Sequence, residues 1–110
     1  MNVEKYLKII AKDNSEFSLF KNKIFPVTMA WEGGGRLHNV PGDTGGWTIW
    51  GISWNNWKHI FTNFSDFKDT LRDEAAIISF VEFYLKGKVS KVPYDCKLFY
   101  FDTLYNMGPD

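Results

Sequence analysis

Long apolar runs are missing from this 110-residue chain. No segment approaches the ~18 apolar residues that mark a membrane-spanning helix, and the opening MNVEKYLKII has no hydrophobic stretch of signal-peptide length. Synthesis in the cytoplasm is therefore expected, with a separate route of release for any work beyond the membrane. Cysteine is nearly absent. Cys96 stands alone, which excludes an internal disulfide and suits a reducing compartment. Neither sign of charge is in surplus: 13 basic and 13 acidic residues cancel, without long runs, so neither nucleic acid nor an anionic membrane surface is an expected partner. Histidine is scarce too. His38 and His59 form no i, i+4 pair with each other, so no metal site is expected, and no cofactor motif is read.

What the chain has in excess is aromatic surface. Its 10 phenylalanines, five tryptophans and five tyrosines can each bury ~150–250 Å². A single domain near the lower size limit for an unstapled core can thus be built from few side chains, with some rings left for a ligand. Val3, Tyr6, Leu7 and Ile10 recur at helical spacing and predict a helix over 3–12 that Asp13 and Asn14 end. Ser15 is the expected cap of a second helix, whose Phe17, Phe20, Ile24, Val27 and Trp31 form one stripe leading to Glu32. Pro26 lacks an N–H and is expected to kink or restart that helix. Residues 36–52 carry turn signals, Pro41-Gly42 and Gly45-Gly46, beside Trp47-Thr48-Ile49-Trp50, the single β candidate. Ser53 is the expected cap of a helix with Trp54, Trp57, Ile60 and Phe61. Thr70 and Asp73 resemble a capping box for a longer helix that uses Leu71, Ala75, Ile78, Val81 and Leu85 and ends at Gly87. A last helix fits Tyr94 to Met107, with Leu98, Phe101, Leu104 and Tyr105 on one side and Cys96 expected to be buried. The predicted class is mainly α, about five helices with one small β-hairpin or glycine-rich loop.

Most of the nine glycines follow Glu32, in the stretch WEGGGRLHNVPGDTGGWT. A carboxylate in the last turn of a helix lies near the negative end of the macrodipole, which raises its pKa, and desolvation beside Trp31 and other rings pushes the same way. A glutamate so placed can stay protonated near neutral pH and act as a general acid on a leaving-group oxygen, as glycoside hydrolysis requires. Glycines after it let a bulky substrate approach the backbone. Asp43 adds a second carboxylate and Thr48 a hydroxyl able to position a water, so Glu32, Asp43 and Thr48 form the candidate catalytic set. Taken singly, the same residues also read as an exposed helix-end glutamate, a turn-forming aspartate and a strand threonine. Trp54 and Trp57, at helical spacing, read as core. Trp47 and Trp50 flank Thr48 and are candidates to stack on sugar rings.

The ordered motifs Glu32-Gly33-Gly34, Asn39-x-Pro41, Gly42-Asp43-x-Gly45-Gly46-x-Thr48 and Gly51-Ile52-Ser53 resemble glycoside hydrolase family 108, a group of lysozyme-like phage and bacterial muramidases. Glu74-Ala75, Tyr84, and Phe101-Asp102 followed by Asn106-x-Gly108-Pro109 extend the resemblance over residues 17 to 110. It implies one lysozyme-like α+β catalytic domain over 1–110, with residues 1–14 as an extra N-terminal helix. It also implies cleavage of the N-acetylmuramic acid–N-acetylglucosamine bond of peptidoglycan, with Glu32 protonating the glycosidic oxygen. Asp43 and Thr48 would assist the attacking water or the developing positive charge. Asn106 and Asp102 would line the cleft or hold its walls, and Asn106 joins Trp47 and Trp50 as a candidate substrate contact. The cellular role implied is an endolysin let out by a holin or a similar export system.

The sequence also departs from the family pattern. The spacing from Glu32 to Asn39 is longer than usual, Gly35 stands where a tyrosine often follows E-G-G, and Val40 replaces the aspartate of N-D-P. Family members continue past N-x-G-P into a peptidoglycan-binding half, whereas this sequence stops at Asp110. Uncovered apolar surface around Tyr94 to Tyr105 is therefore expected, met by self-association or by a partner chain. The competing function is a non-catalytic fragment that keeps the fold and binds glycan or another lysin chain. Retention of Glu32 favours the hydrolase.

Overall fold

A computed structural model of the chain describes residues 1–32, 34–39 and 46–107, with the side chains of Glu32 and Met107 outside the description. Helix α1 spans Val3–Ala11 and buries Tyr6 and Ile10, as its apolar spacing requires. Helix α2, Asn14–Leu19, follows at once and widens into a π turn over Phe20–Ile24 before continuing as α3, Phe25–Glu32. The amide of Phe25 donates to the Phe20 carbonyl, five residues back. This wide turn falls just before Pro26, where a proline with no N–H must interrupt the ladder in any case. The expected kink thus takes the form of an inserted π turn.

A three-stranded antiparallel sheet comes next, in the order β1 (His38–Asn39), β2 (Trp47–Ile49), β3 (Ile52–Ser53). Its register sets Thr48 opposite His38 on one side and Ser53 on the other, and Ile49 opposite Ile52. The strand expected over 47–50 stops at Ile49, because Trp50 and Gly51 form the two-residue turn into β3, with φ of 57° and 80°. Left-handed φ at both central positions marks the primed hairpin turns, whose twist matches that of the flanking strands.

Helix α4 is short, Trp54–Trp57, and runs on as a 3₁₀ turn over Lys58–Ile60. Helix α5, Phe64–Lys68, lies outside the sequence expectations. Its signal is Asn63, whose side chain accepts the Asp66 amide at 2.9 Å, an N-cap in front of two phenylalanines. Helix α6, Arg72–Ser79, passes into a second π turn over Phe80–Leu85. The expected capping pair is displaced by one residue: Glu74 Oε1 accepts the Leu71 amide at 2.9 Å, while the Thr70 hydroxyl donates back to the Phe67 carbonyl at 2.7 Å. Leu71, expected in the buried stripe, is 67% exposed as the cap residue. The left-handed residue beyond this helix is Lys88, φ 60°, rather than Gly87. A 3₁₀ turn over Val89–Lys91 leads to α7, Tyr94–Met107, with the limits the sequence predicts.

The core is an aromatic cluster. Phe20 is fully buried and its ring lies 5.1 Å from Tyr84, 4.9 Å from Phe101, 5.6 Å from Phe80 and 5.7 Å from Phe25. One ring thus joins the π turn after α2 to α3, to the π turn that extends α6 and to α7, and each such buried side chain contributes about 1.5–3 kcal/mol. Ala75, Ala76, Ile78, Ser79, Phe80, Val81, Phe83 and Tyr84 are all buried, so from Ala75 onward α6 and its π extension run through the interior. Lys97 is buried as well, its ammonium donating to the carbonyls of Val89 and Ser90 at 3.1 and 3.0 Å. Cys96, expected buried, is exposed. Mainly helical with one small antiparallel sheet, the chain has the predicted lysozyme-like α+β class. Among the described residues, no helix is long and apolar enough to cross a membrane.

Candidate active site

Helix α3 ends at Glu32, and the chain turns back toward the sheet through Gly34 and Gly35. The turn is tied to the β2–β3 hairpin, since the Trp50 amide donates to the Gly34 carbonyl at 3.0 Å. Gly35 is pressed against the Trp50 indole: a Cβ on Gly35 would lie 2.4 Å from Cζ2 of that ring. The tyrosine that the family pattern places here has no room, because an indole from fifteen residues on occupies the space. The departure at Gly35 thus has a physical partner in Trp50.

Trp50 is held on every side. Its indole Nε1 donates to the Thr70 carbonyl at 2.8 Å, and its own carbonyl accepts the Tyr105 hydroxyl at 2.6 Å. The Tyr105 hydroxyl also meets Ser79 Oγ, at 3.1 Å in the interior. The Arg72 guanidinium lies 5.9 Å from the Trp50 ring and 5.5 Å from Phe25 at the start of α3, a cation–π bridge between helix and hairpin. A tryptophan at positive φ costs of order 1–3 kcal/mol and persists only where its surroundings over-determine it. The contacts to Gly34, Gly35, Thr70, Arg72 and Tyr105 do so.

Strand alternation separates two of the candidate residues. Trp47 and Ile49 point to one face of β2 and Thr48 to the other. On the first face Ile49 and Ile52 are buried, and Trp47, 41% exposed at the strand's start, meets Phe64 edge-on at 6.2 Å. On the second face Thr48 has His38 and Ser53 as cross-strand neighbours. Thr48 is half-buried, with its hydroxyl turned to the Gly46 carbonyl at 3.4 Å. His38 Nδ1 pairs with the Arg36 carbonyl at 2.9 Å. The polar row His38–Thr48–Ser53 escapes a reading of the sequence because it depends on register, which the turn at Trp50-Gly51 fixes.

The other wall comes from α7. Buried Thr28, one turn before Glu32 on α3, donates its hydroxyl to Asp102 Oδ1, so Asp102 pins α7 to α3. Asn106 lies one turn beyond Asp102 and is exposed. Trp54 and Trp57 take the core roles expected of them: Trp57 is buried, and Trp54 packs on Phe64 and Phe67, each at 5.3 Å. Asp43 lies outside the described residues. A hollow of about 280 Å³ lies between the turn following α2 and the start of α7, lined by Leu19, Lys23, Ile24, Tyr94, Asp95, Lys97 and Leu98. None of the candidate site residues lines it, so it is not the place to look for the chemistry. Among the described residues no group of three or more His, Cys, Asp or Glu could hold a metal ion.

A helix whose C-terminal turn is tied to a small antiparallel sheet, with a second helix pinned alongside, defines the class: a lysozyme-like α+β domain. Within it, the family model for glycosyl hydrolase 108 matches residues 25–108, from the start of α3 past the end of α7, and the chain belongs to that family. It is a glycoside hydrolase at that level. No curated protein and no solved structure matches the chain.

Proposed function

We propose that this protein is a peptidoglycan hydrolase of the lysozyme type, cleaving between N-acetylmuramic acid and N-acetylglucosamine with Glu32 as the general acid. The observation that carries the reading is the span of the family match, 25–108, which takes in Glu32, Asp43, Thr48 and Asn106 together. Position 32 closes α3, where the negative end of the helix dipole favours a protonated carboxyl. That is the state a leaving-group oxygen requires. Asp43 and the Thr48 hydroxyl assist the attacking water or the developing positive charge. Trp47, with much of its ring exposed, and Asn106 supply substrate contacts, and no cofactor takes part. In the cell the enzyme acts on the wall as an endolysin, after release by a separate route.

Turbidity of a purified peptidoglycan suspension tests this directly. The wild-type chain is expected to clear it, and Glu32→Gln to lower the rate by ~10²–10⁴-fold, the usual contribution of a positioned general acid. Equal clearance by the two would remove Glu32 from the mechanism. No clearance by either, with glycan still bound, would favour a non-catalytic binding domain.

A further inference from the structure

The indole of Trp50 is wedged between Gly35 and Arg72 and its N–H is spent on Thr70, so this ring has little left to offer a sugar. Its backbone, by contrast, joins three parts of the site. The Trp50 amide holds Gly34, two residues beyond Glu32, and the Trp50 carbonyl is held by Tyr105 of α7, whose hydroxyl is held in turn by Ser79 of α6. Gly51 belongs to the same arrangement: at φ 80° a Cβ there would meet Tyr105 Cε2 at 2.5 Å. The aromatic ring of Tyr105 therefore lies directly beneath the hairpin turn.

We infer that Tyr105 is a positioning residue for the proposed general acid, acting through Trp50 and Gly34 to fix where α3 ends, and that Trp50 is the clamp between them rather than a platform for substrate. The inference rests on the hydrolase reading of Glu32. The path is continuous and each link is a hydrogen bond: the Ser79 hydroxyl to the Tyr105 hydroxyl, then to the Trp50 carbonyl, and from the Trp50 amide to the Gly34 carbonyl. Loss of the Tyr105 hydroxyl leaves the ring under Gly51 in place and removes the bond to the carbonyl of the strained residue, together with the bond to Ser79 Oγ behind it. The hairpin then swings on Trp50, and the end of α3 loses its fixed distance from the sheet. Displacing an acid by a fraction of an ångström lowers the chemical step far more than it lowers binding.

Tyr105→Phe is the test, with Tyr84→Phe as control, since the Tyr84 hydroxyl donates to Glu16 at 2.6 Å and has no link to the hairpin. Two quantities are read: amide hydrogen exchange at Trp50 and Gly35 by NMR, and kcat and KM on a soluble peptidoglycan oligosaccharide. The expected result for Tyr105→Phe is exchange at Trp50 faster by a few-fold to about tenfold, the size of one lost hydrogen bond. A fall in kcat of about 10- to 100-fold should accompany it, with KM nearly unchanged. Tyr84→Phe should leave both quantities as they are in wild type. Unchanged exchange at Trp50 in Tyr105→Phe overturns the clamp whatever the activity. Faster exchange with unaltered kcat, or a change confined to KM, overturns the positioning role while leaving the hydrolase intact. A wild-type chain without activity overturns the hydrolase reading instead, and the exchange measurement still decides whether Tyr105 holds Trp50.

Discussion

Single residues around Glu32 show how far a side chain's meaning depends on partners distant in sequence. The glycines after Glu32 read as room for a bulky substrate, yet at Gly35 the space belongs to the Trp50 indole. That gives a sharp expectation for Gly35→Ala. The new methyl would lie 2.4 Å from Cζ2 of a ring that is tethered through its N–H to Thr70, so the ring cannot step aside without breaking that bond. Overpacking of this kind costs about 1–3 kcal/mol. The measurement is the denaturant midpoint at unchanged slope, and a midpoint equal to wild type would show that the ring moves freely. Glu32 is an acid candidate on local signals, its helix-end position and the glycines after it, whereas the neighbouring ring of Trp31 is 82% exposed and gives little desolvation there. The part played by Trp50 was not legible, since its φ of 57° and its partners appear only once the chain is folded. Trp47 and Thr48 are a different case. Their opposition across the strand follows from the period of two, so the hydroxyl of Thr48 and the ring of Trp47 serve different faces of β2.

Elements were legible in proportion to the length of their apolar stripe. Helices α1 and α7, with four apolar residues each on one face, stand where the sequence places them, and α7 has the predicted limits Tyr94–Met107. The two π turns were not legible, and the first one moves the buried face of the helix: beyond it Phe25, Thr28 and Met29 are buried, while Val27 and Trp31, expected in the stripe, are 38% and 82% exposed. Helix α5 was missed for another reason. Five residues give too short a window for periodicity, so its start is set by Asn63 rather than by a stripe. The cap should accordingly be worth more here than in a long helix. Asn63→Ala removes the acceptor for the Asp66 amide at 2.9 Å and is expected to destabilise the protein by about 0.5–2 kcal/mol. It should also speed exchange at the Asp66 amide. Asn63→Ser, which keeps a capping oxygen, should restore most of the loss, and equal thermal midpoints for all three proteins would show that α5 is held by Phe67 packing alone.

At the scale of the whole molecule, two of the phenols buried in the aromatic core, Tyr6 and Tyr84, tie stability to pH. Burial, helped by the nearby Glu82 carboxylate, pushes the Tyr6 hydroxyl up to about 12. Burial also pushes Tyr84 well above the ordinary value, with the hydrogen bond to Glu16 and that carboxylate's charge acting the same way. In both cases the folded state holds its proton more tightly than the unfolded chain, where a tyrosine titrates near ~10. The stability linked to these groups is therefore fully present below about pH 10 and is lost as pH rises through the folded values. Melting experiments from neutral pH to pH ~11 should show a midpoint that holds level and then declines above ~10. Tyr6→Phe and Tyr84→Phe should each flatten that decline, since a phenylalanine has no proton to lose. Phenolate absorbance offers an independent view. In the folded protein Tyr6 and Tyr84 should ionise late or only as the chain unfolds. Tyr6 and Tyr84 titrating together near ~10 in a chain that keeps its helical signal would mean that the aromatic core is open to water. A core built from so few side chains could not then hold α3, α6 and α7 around a fixed hairpin.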